Sequence, residues 1–230
     1  FRPITEERIP AILAWSGYGK QPRYERPDLK TRGVAEGAIS EFCKEEGPDP
    51  LYWCRYGYAV VNVDPRGVGN SEGDFEFFGT QDGRDGYDAV EWLSKQKWCN
   101  GKIGMAGNSC LAMMQWRIAA ERPPHLACIA PWEGTGDMYR ESLCEGGIVA
   151  DGFPAVTVTK TIGGQYVDDM VRMVEEEPFV TSPYWQDKIP KFENIEIPTY
   201  VTAGWSHLHL KGSIEGFRSI KSENKWLRCH

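Results

Sequence analysis

The sequence has no C-x-x-C pair among its seven cysteines, no basic stripe, no G-K-S/T phosphate loop and no apolar run of membrane-spanning length. Each absence removes a class of function. The cysteines, at 43, 54, 99, 110, 128, 144 and 229, are odd in number and irregularly spaced. That argues against a disulfide framework or a structural zinc site, and for reduced thiols in a cytosol-like, cytoplasmic compartment. The 26 basic residues are scattered and the formal net charge is −7, so nucleic acid and anionic membrane are disfavoured as partners. The turn RGVGNSEG at 66–73 is rich in glycine, yet it lacks the G-x-G-x-x-G spacing of a dinucleotide cradle. No cofactor and no metal are expected. The sequence opens on Phe1 with no signal-peptide pattern, and His230 follows directly on the strand-like KWLRC, so the chain reads as a piece of a longer one.

What is present is 230 residues, 41% of them hydrophobic, enough for one sizeable α/β core. Apolar runs of strand length occur at 9–17, 58–64, 102–107, 125–132, 197–205 and 225–230. Stretches with helical spacing lie between them, at 34–45, 83–98, 111–120 and 211–220. Strands alternating with helices predict a mostly parallel sheet wound by right-handed crossovers.

At the join of the third strand-like run and its helix stands GNSCLA, residues 107–112. A serine hydroxyl is a weak nucleophile until a base takes its proton and fixed donors stabilise the oxyanion, and a cramped strand-to-helix turn supplies exposure and donors together. Small residues surround such a serine in the G-x-S-x-G elbow. Here Gly107 precedes Ser109 by two, but Leu111 occupies the second small position and Ala112 follows. Taken alone, the pattern also fits a serine capping an ordinary helix.

Around that serine, AWSGYGK, GYAVVNVDPRGVGNSEGDF, WCNGKIGMAGNS, APW and AGW follow one another in order from about Ile9 to His230. In combination they resemble the CocE/NonD-type serine hydrolase family, which includes the Xaa-Pro dipeptidyl-peptidase-like enzymes. The resemblance implies an α/β-hydrolase core whose first strands and C-terminal jelly roll lie outside this chain. It divides the residues into core at 1–136, a short cap insertion at 137–192 and core again at 193–230. It implies hydrolysis of an ester, an amide or a short peptide through an acyl-enzyme on Ser109. The alternative is a catalytically silent hydrolase-fold binding module; oligomeric state is not read from the sequence.

The order serine, acid, histidine places the base after the last strand, at His230. His125 precedes the next strand and is expected at the opposite end of the sheet, while His207 and His209 follow the strand 197–205. By elbow geometry the backbone N–H of Cys110 is one oxyanion donor; the resemblance supplies the second, the hydroxyl of Tyr18. The Cys110 thiol is a poor nucleophile, one residue past the elbow. The acid is a departure: where the resembling family has G-W-Y-D, this chain reads GWSH, with His207 in the aspartate's place. Glu133, directly after the strand 125–132, is the expected replacement, within about 2.6 to 3.2 Å of a His230 ring nitrogen. Asp137 is read as a cap hinge, and Glu175, Glu176 and Glu177 as a solvated run rather than an amine grip.

Overall fold

A computed structural model describes residues 1–21, 34–150, 152 and 168–230. Strand β1, Ile9–Trp15, is buried at six of its seven positions, as a strand covered on both faces must be. It pairs in parallel with β2, Ala59–Val63, on one side and with β3, Cys99–Asn108, on the other. Beyond β3 come β4, Leu126–Trp132, then β7, Thr199–Ala203, and β8, Lys225–Cys229, all parallel. The sheet order is therefore β2-β1-β3-β4-β7-β8. The expected mostly parallel architecture is met, and a two-stranded hairpin of β5, Cys144–Glu145, and β6, Ile148–Val149, stands outside it.

Helices supply the crossovers. The first, α1, is Pro50–Arg55; α2 is Thr80–Ser94 and α3 is Cys110–Ala120. Between β4 and β7 lie a π-helical turn at Tyr139–Leu143, α4 at Met170–Glu176 and α5 at Pro183–Asp187. Helix α6, Leu210–Ser219, leads into β8. No helix among the described residues is long and apolar enough to cross a membrane.

The helix expected at 34–45 does not form; residues 34–49 run as turns and bends. Asp49 is the reason. Its carboxylate accepts from the Ser40 backbone N–H at 2.7 Å and the Ser40 hydroxyl at 2.6 Å. It also caps α1 by accepting from Leu51 N–H at 2.9 Å, with Pro50 in the first helical position. Helix formation is thereby shifted downstream, and the loop before it is free to line the site.

Helix α3 is buried along its whole length, Cys110 to Ala120. Its one cation, Arg117, is satisfied by carbonyls: Phe78 at 2.5 Å, Met113 at 2.8 Å, Gly136 at 3.1 Å and Lys188 at 2.7 Å. Burial pulls its guanidinium down to about 10. Chain order reverses between β1 and β3, and in open α/β sheets that switch point, at the carboxyl ends of the strands, forms the ligand crevice.

Candidate active site

Ser109 sits at that crevice, between the end of β3 and the start of α3, with φ +54° and ψ −115°. A left-handed backbone at a residue other than glycine costs on the order of 1–3 kcal/mol and survives only where its surroundings impose it. They do so here. Ser109 N–H donates to Trp132 O at 3.0 Å, and its own carbonyl accepts from Met113 N–H at 2.9 Å. The departure at Leu111 has a steric explanation: a Cβ on Gly107 would come 2.6 Å from Leu111 Cβ and 2.5 Å from its Cδ2. Gly107 makes the room that a small residue at 111 would otherwise provide.

Across the switch point, Tyr18 lies just beyond β1, partly buried, near enough to Ser109 and Glu46 for both to act on its phenol. Burial pushes its phenol far up, so it remains a protonated donor at any working pH. The loop carrying it is pinned by Asp64, which accepts from Lys20 N–H at 2.5 Å and pairs with Lys20 Nζ at 2.8 Å. Asp64 also accepts from Asn70 N–H at 3.3 Å, and its backbone carbonyl accepts from the Ser71 hydroxyl at 2.8 Å. The glycine-rich turn thus braces the Tyr18 loop.

Cys110 opens α3, so its backbone N–H has no carbonyl partner within the helix and is available as a donor. Its thiol is buried and pushed up to about 12, which rules it out as a thiolate.

The histidines are arranged differently from the sequence expectation. The imidazole against the serine is that of His209, with Nε2 3.4 Å from Ser109 Oγ. His209 is buried, and burial, reinforced by His207, pulls its ring down to about 3; it is a neutral acceptor. Its Nδ1 is buried with no hydrogen-bond partner. His230 lies instead on Glu133, Nε2 to Oε1 at 3.5 Å, outside the 2.6 to 3.2 Å expected of a tight pair. The other oxygen of Glu133 faces His207 Nε2, also at 3.5 Å. His207 Nδ1 accepts from His209 N–H at 3.3 Å, so the carboxylate reaches the His209 loop through His207. Glu133 is placed by a left-handed backbone, φ +56°, and by Gly204, where a Cβ would stand 2.6 Å from Glu133 Oε1.

The remaining candidates fall away from the site. His125 is at the start of β4, the opposite end of the sheet, with Nδ1 2.8 Å from Glu91 Oε2. Asp137 closes the turn after β4 by accepting from Arg140 N–H at 3.0 Å and Nη1 at 2.7 Å. Glu175 and Glu176 are exposed on α4, Glu176 paired with Arg172 at 2.6 Å. Among the described residues no group of three or more His, Cys, Asp or Glu is placed to hold a metal ion. Two residues without a sequence signal line the back of the site: Glu46, whose Oε1 accepts from the Asn108 side-chain amide at 3.3 Å, and Lys44, fully buried with Nζ 3.5 Å from Ala14 O. Neither carries a motif: Lys44 falls in the run whose spacing suggests a helix, and Glu46 just past it.

Residues 1–169 match the family described as X-Pro dipeptidyl-peptidase (S15 family). The cocaine esterase of Rhodococcus sp. strain MB1 Bresler is 41% identical over 140 residues, 61% of this chain and 21% of that protein. The crystal structure of a CocE/NonD family hydrolase from Staphylococcus aureus superposes on all of this chain and 42% of its own, with TM-score 0.89 and 34% identity. An α-amino acid ester hydrolase, at 18% identity and TM-score 0.66, shares the fold. The chain thus spans about a fifth of the length of the cocaine esterase and less than half of the staphylococcal hydrolase.

Proposed function

This chain belongs to the X-Pro dipeptidyl-peptidase (S15) family, and from that premise we propose that it is the core of a serine hydrolase that cleaves an acyl bond of a small ester, amide or short peptide. The observation that carries the reading is the left-handed Ser109, with an imidazole nitrogen 3.4 Å from its Oγ and the Tyr18 phenol close by. Ser109 Oγ attacks the substrate carbonyl carbon and its proton passes to His209 Nε2. Tyr18 and the Cys110 N–H stabilise the oxyanion. The protonated imidazole then gives its proton to the leaving alkoxide or amine as that bond breaks, and a water molecule, activated by the same ring, releases the acid from Ser109.

A second reading of the acid–base pair keeps His230 as the base and Glu133 as its acid. The carboxylate favours it, since Glu133 stands 3.5 Å from His230 whereas no hydrogen-bond partner orients His209 Nδ1. A neutral ring without an acid is a weaker base than a carboxylate-backed one. The described part of residues 137–192, which carries the hairpin, α4 and α5 between β4 and β7, serves as a cap, and the irregular spacing of the cysteines fits a reducing, cytoplasmic compartment.

The test is covalent labelling by a fluorophosphonate probe. Labelling of the wild-type chain that disappears in folded Ser109→Ala supports the hydrolase. Absence of labelling, in this chain and in any longer protein containing it, favours the silent binding module. Esterase and peptidase are separated by comparing p-nitrophenyl acetate with an Xaa-Pro p-nitroanilide as substrates.

A further inference from the structure

Three buried polar atoms gather between α3 and α6: His209 Nδ1, Ser213 Oγ and Trp116 Nε1. Their side chains are at most 4% exposed, and among the described residues none of the three atoms has a hydrogen-bond partner. The register of the two helices brings them together. His209, Ser213 and Gly216 repeat at i, i+4 and i+7 on one face of α6, and Ser109 and Trp116 repeat at i and i+7 along α3. At one end of this seam Ser109 Oγ stands 3.4 Å from His209 Nε2. At the other, a Cβ on Gly216 would stand 3.3 Å from Trp116 Cε2, the ring carbon that carries Nε1. Ser213 lies between the two contacts, about 6 Å along the helix from His209 and about 4.5 Å from Gly216 by the helical rise. Its N–H donates to His209 O at 2.9 Å, which fixes the turn that joins them.

A buried polar atom without a partner is costly, and three along one seam call for a shared one. To accept the Ser109 proton, His209 Nε2 has to be bare, so the single hydrogen of the neutral ring must sit on Nδ1. The indole Nε1 only donates. Two donors thus face one hydroxyl. Glu141 reaches the same helix at Gly212, but its Oε2 is taken by the N–H groups of Gly136 at 2.9 Å and Asp137 at 3.1 Å. One water molecule satisfies all three atoms: its oxygen accepts from Nδ1–H and Nε1–H, and one of its hydrogens goes to Ser213 Oγ. Two hydrogen bonds of about 2.8 Å span the rise of one helical turn. We propose that α3 and α6 hold a one-water site between His209 Nδ1, Ser213 Oγ and Trp116 Nε1, and that Ser213 acts through it as the positioning residue of the His209 imidazole. This rests on the hydrolase reading of Ser109 with His209 as its base, and gives that base an orienting partner where no carboxylate touches it.

Such a site is open to direct observation. A high-resolution crystal structure should show one ordered water within hydrogen-bond distance of all three atoms. In protein with 15N-labelled histidine rings, the pair of resonances that vanishes in His209→Gln should report a protonated Nδ1 and a bare Nε2 in the wild type. In Ser213→Ala the two should move toward each other as the tautomers mix. With p-nitrophenyl acetate as substrate, Ser213→Ala is expected to lower kcat about 10- to 100-fold with KM changed less than about threefold, short of the loss from removing a charged acid. In a His209→Ala background, Ser213→Ala should lower kcat by less than about twofold, because the serine acts only through the ring.

Four results overturn the proposal: no water joined to the three atoms, stationary His209 resonances in Ser213→Ala, an unchanged kcat in that variant, or an undiminished loss in the His209→Ala background. A wild-type protein inert to both ester and fluorophosphonate sinks the hydrolase reading instead, and the water and the ring resonances then decide by themselves whether Ser213 holds His209.

Discussion

Ser109 Oγ and His209 Nε2 stand 3.4 Å apart, although one hundred residues of chain separate them. The contact joins the end of β3 to the start of α6, and it makes the identity of the base a direct experimental question. If His209 takes the serine proton, His209→Ala should lower kcat by at least about 10³ and His230→Ala by far less. The reverse ranking returns the role to the His230–Glu133 pair. Steady-state kinetics on one activated ester decides between them.

His209 also predicts a pH dependence of stability. Its folded pKa, about 3, lies below its ordinary value of 6.5, so the unfolded chain binds the proton first. The neutral buried ring contributes fully above pH 6.5, and that contribution is lost as pH falls from 6.5 toward 3, by an amount on the order of a few kcal/mol. Urea melts from pH 7 to pH 4 should show this loss in the wild-type protein and a smaller one in His209→Gln.

Tyr18→Phe removes one oxyanion donor and leaves the ring in place. The expected result is a fall in kcat of about 10² to 10³ with KM little changed. An equal kcat would leave Tyr18 a packing residue at the end of β1.

Glu133→Gln should lower kcat by several orders of magnitude if Glu133 orients the catalytic imidazole directly, as loss of the acid does in serine proteases. His207→Ala tests the indirect route, since His207 connects Glu133 Oε2 to the His209 backbone. A loss in His207→Ala comparable with that in Glu133→Gln would mean that the carboxylate acts through His207.

Lys44 lies entirely inside the protein, and burial lowers its ammonium from 10.5 to about 8. Its charge is a cost of on the order of 3 kcal/mol. Because the folded pKa is depressed, that cost is present in full below pH 8 and is relieved as pH rises through 8 toward 10.5. Lys44→Met should therefore gain stability over the wild type at pH 7 and lose most of that advantage by pH 10, as measured by denaturant unfolding.

The parallel sheet was readable because its strands are buried on both faces and appear as unbroken apolar runs; IPAILAW and AVVNV are found as strands within two residues of expectation. The loop at 34–49 was not, because its conformation is decided by one carboxylate, Asp49, reaching back nine residues to Ser40. The elbow was legible as a strand-to-helix join. The arrangement of the imidazoles was not: His207, His209 and His230 all lie at the carboxyl ends of neighbouring strands, and only side-chain packing determines which ring meets Ser109 and which meets Glu133. Glu46 and Lys44 were invisible for a related reason. Their significance comes from burial against residues at the ends of β1 and β3, far off in the chain.

The contact between Gly107 and Leu111 turns two motif positions into one volume constraint. Leu111→Gly would leave a hole under the serine, and Gly107→Ala would force Leu111 out of place, so substitution has to proceed at both positions together. Filters that demand a small residue on each side of the serine independently would discard this chain. A filter on the combined bulk of the two positions would retain it, along with any other elbow whose missing glycine has been absorbed by its neighbour.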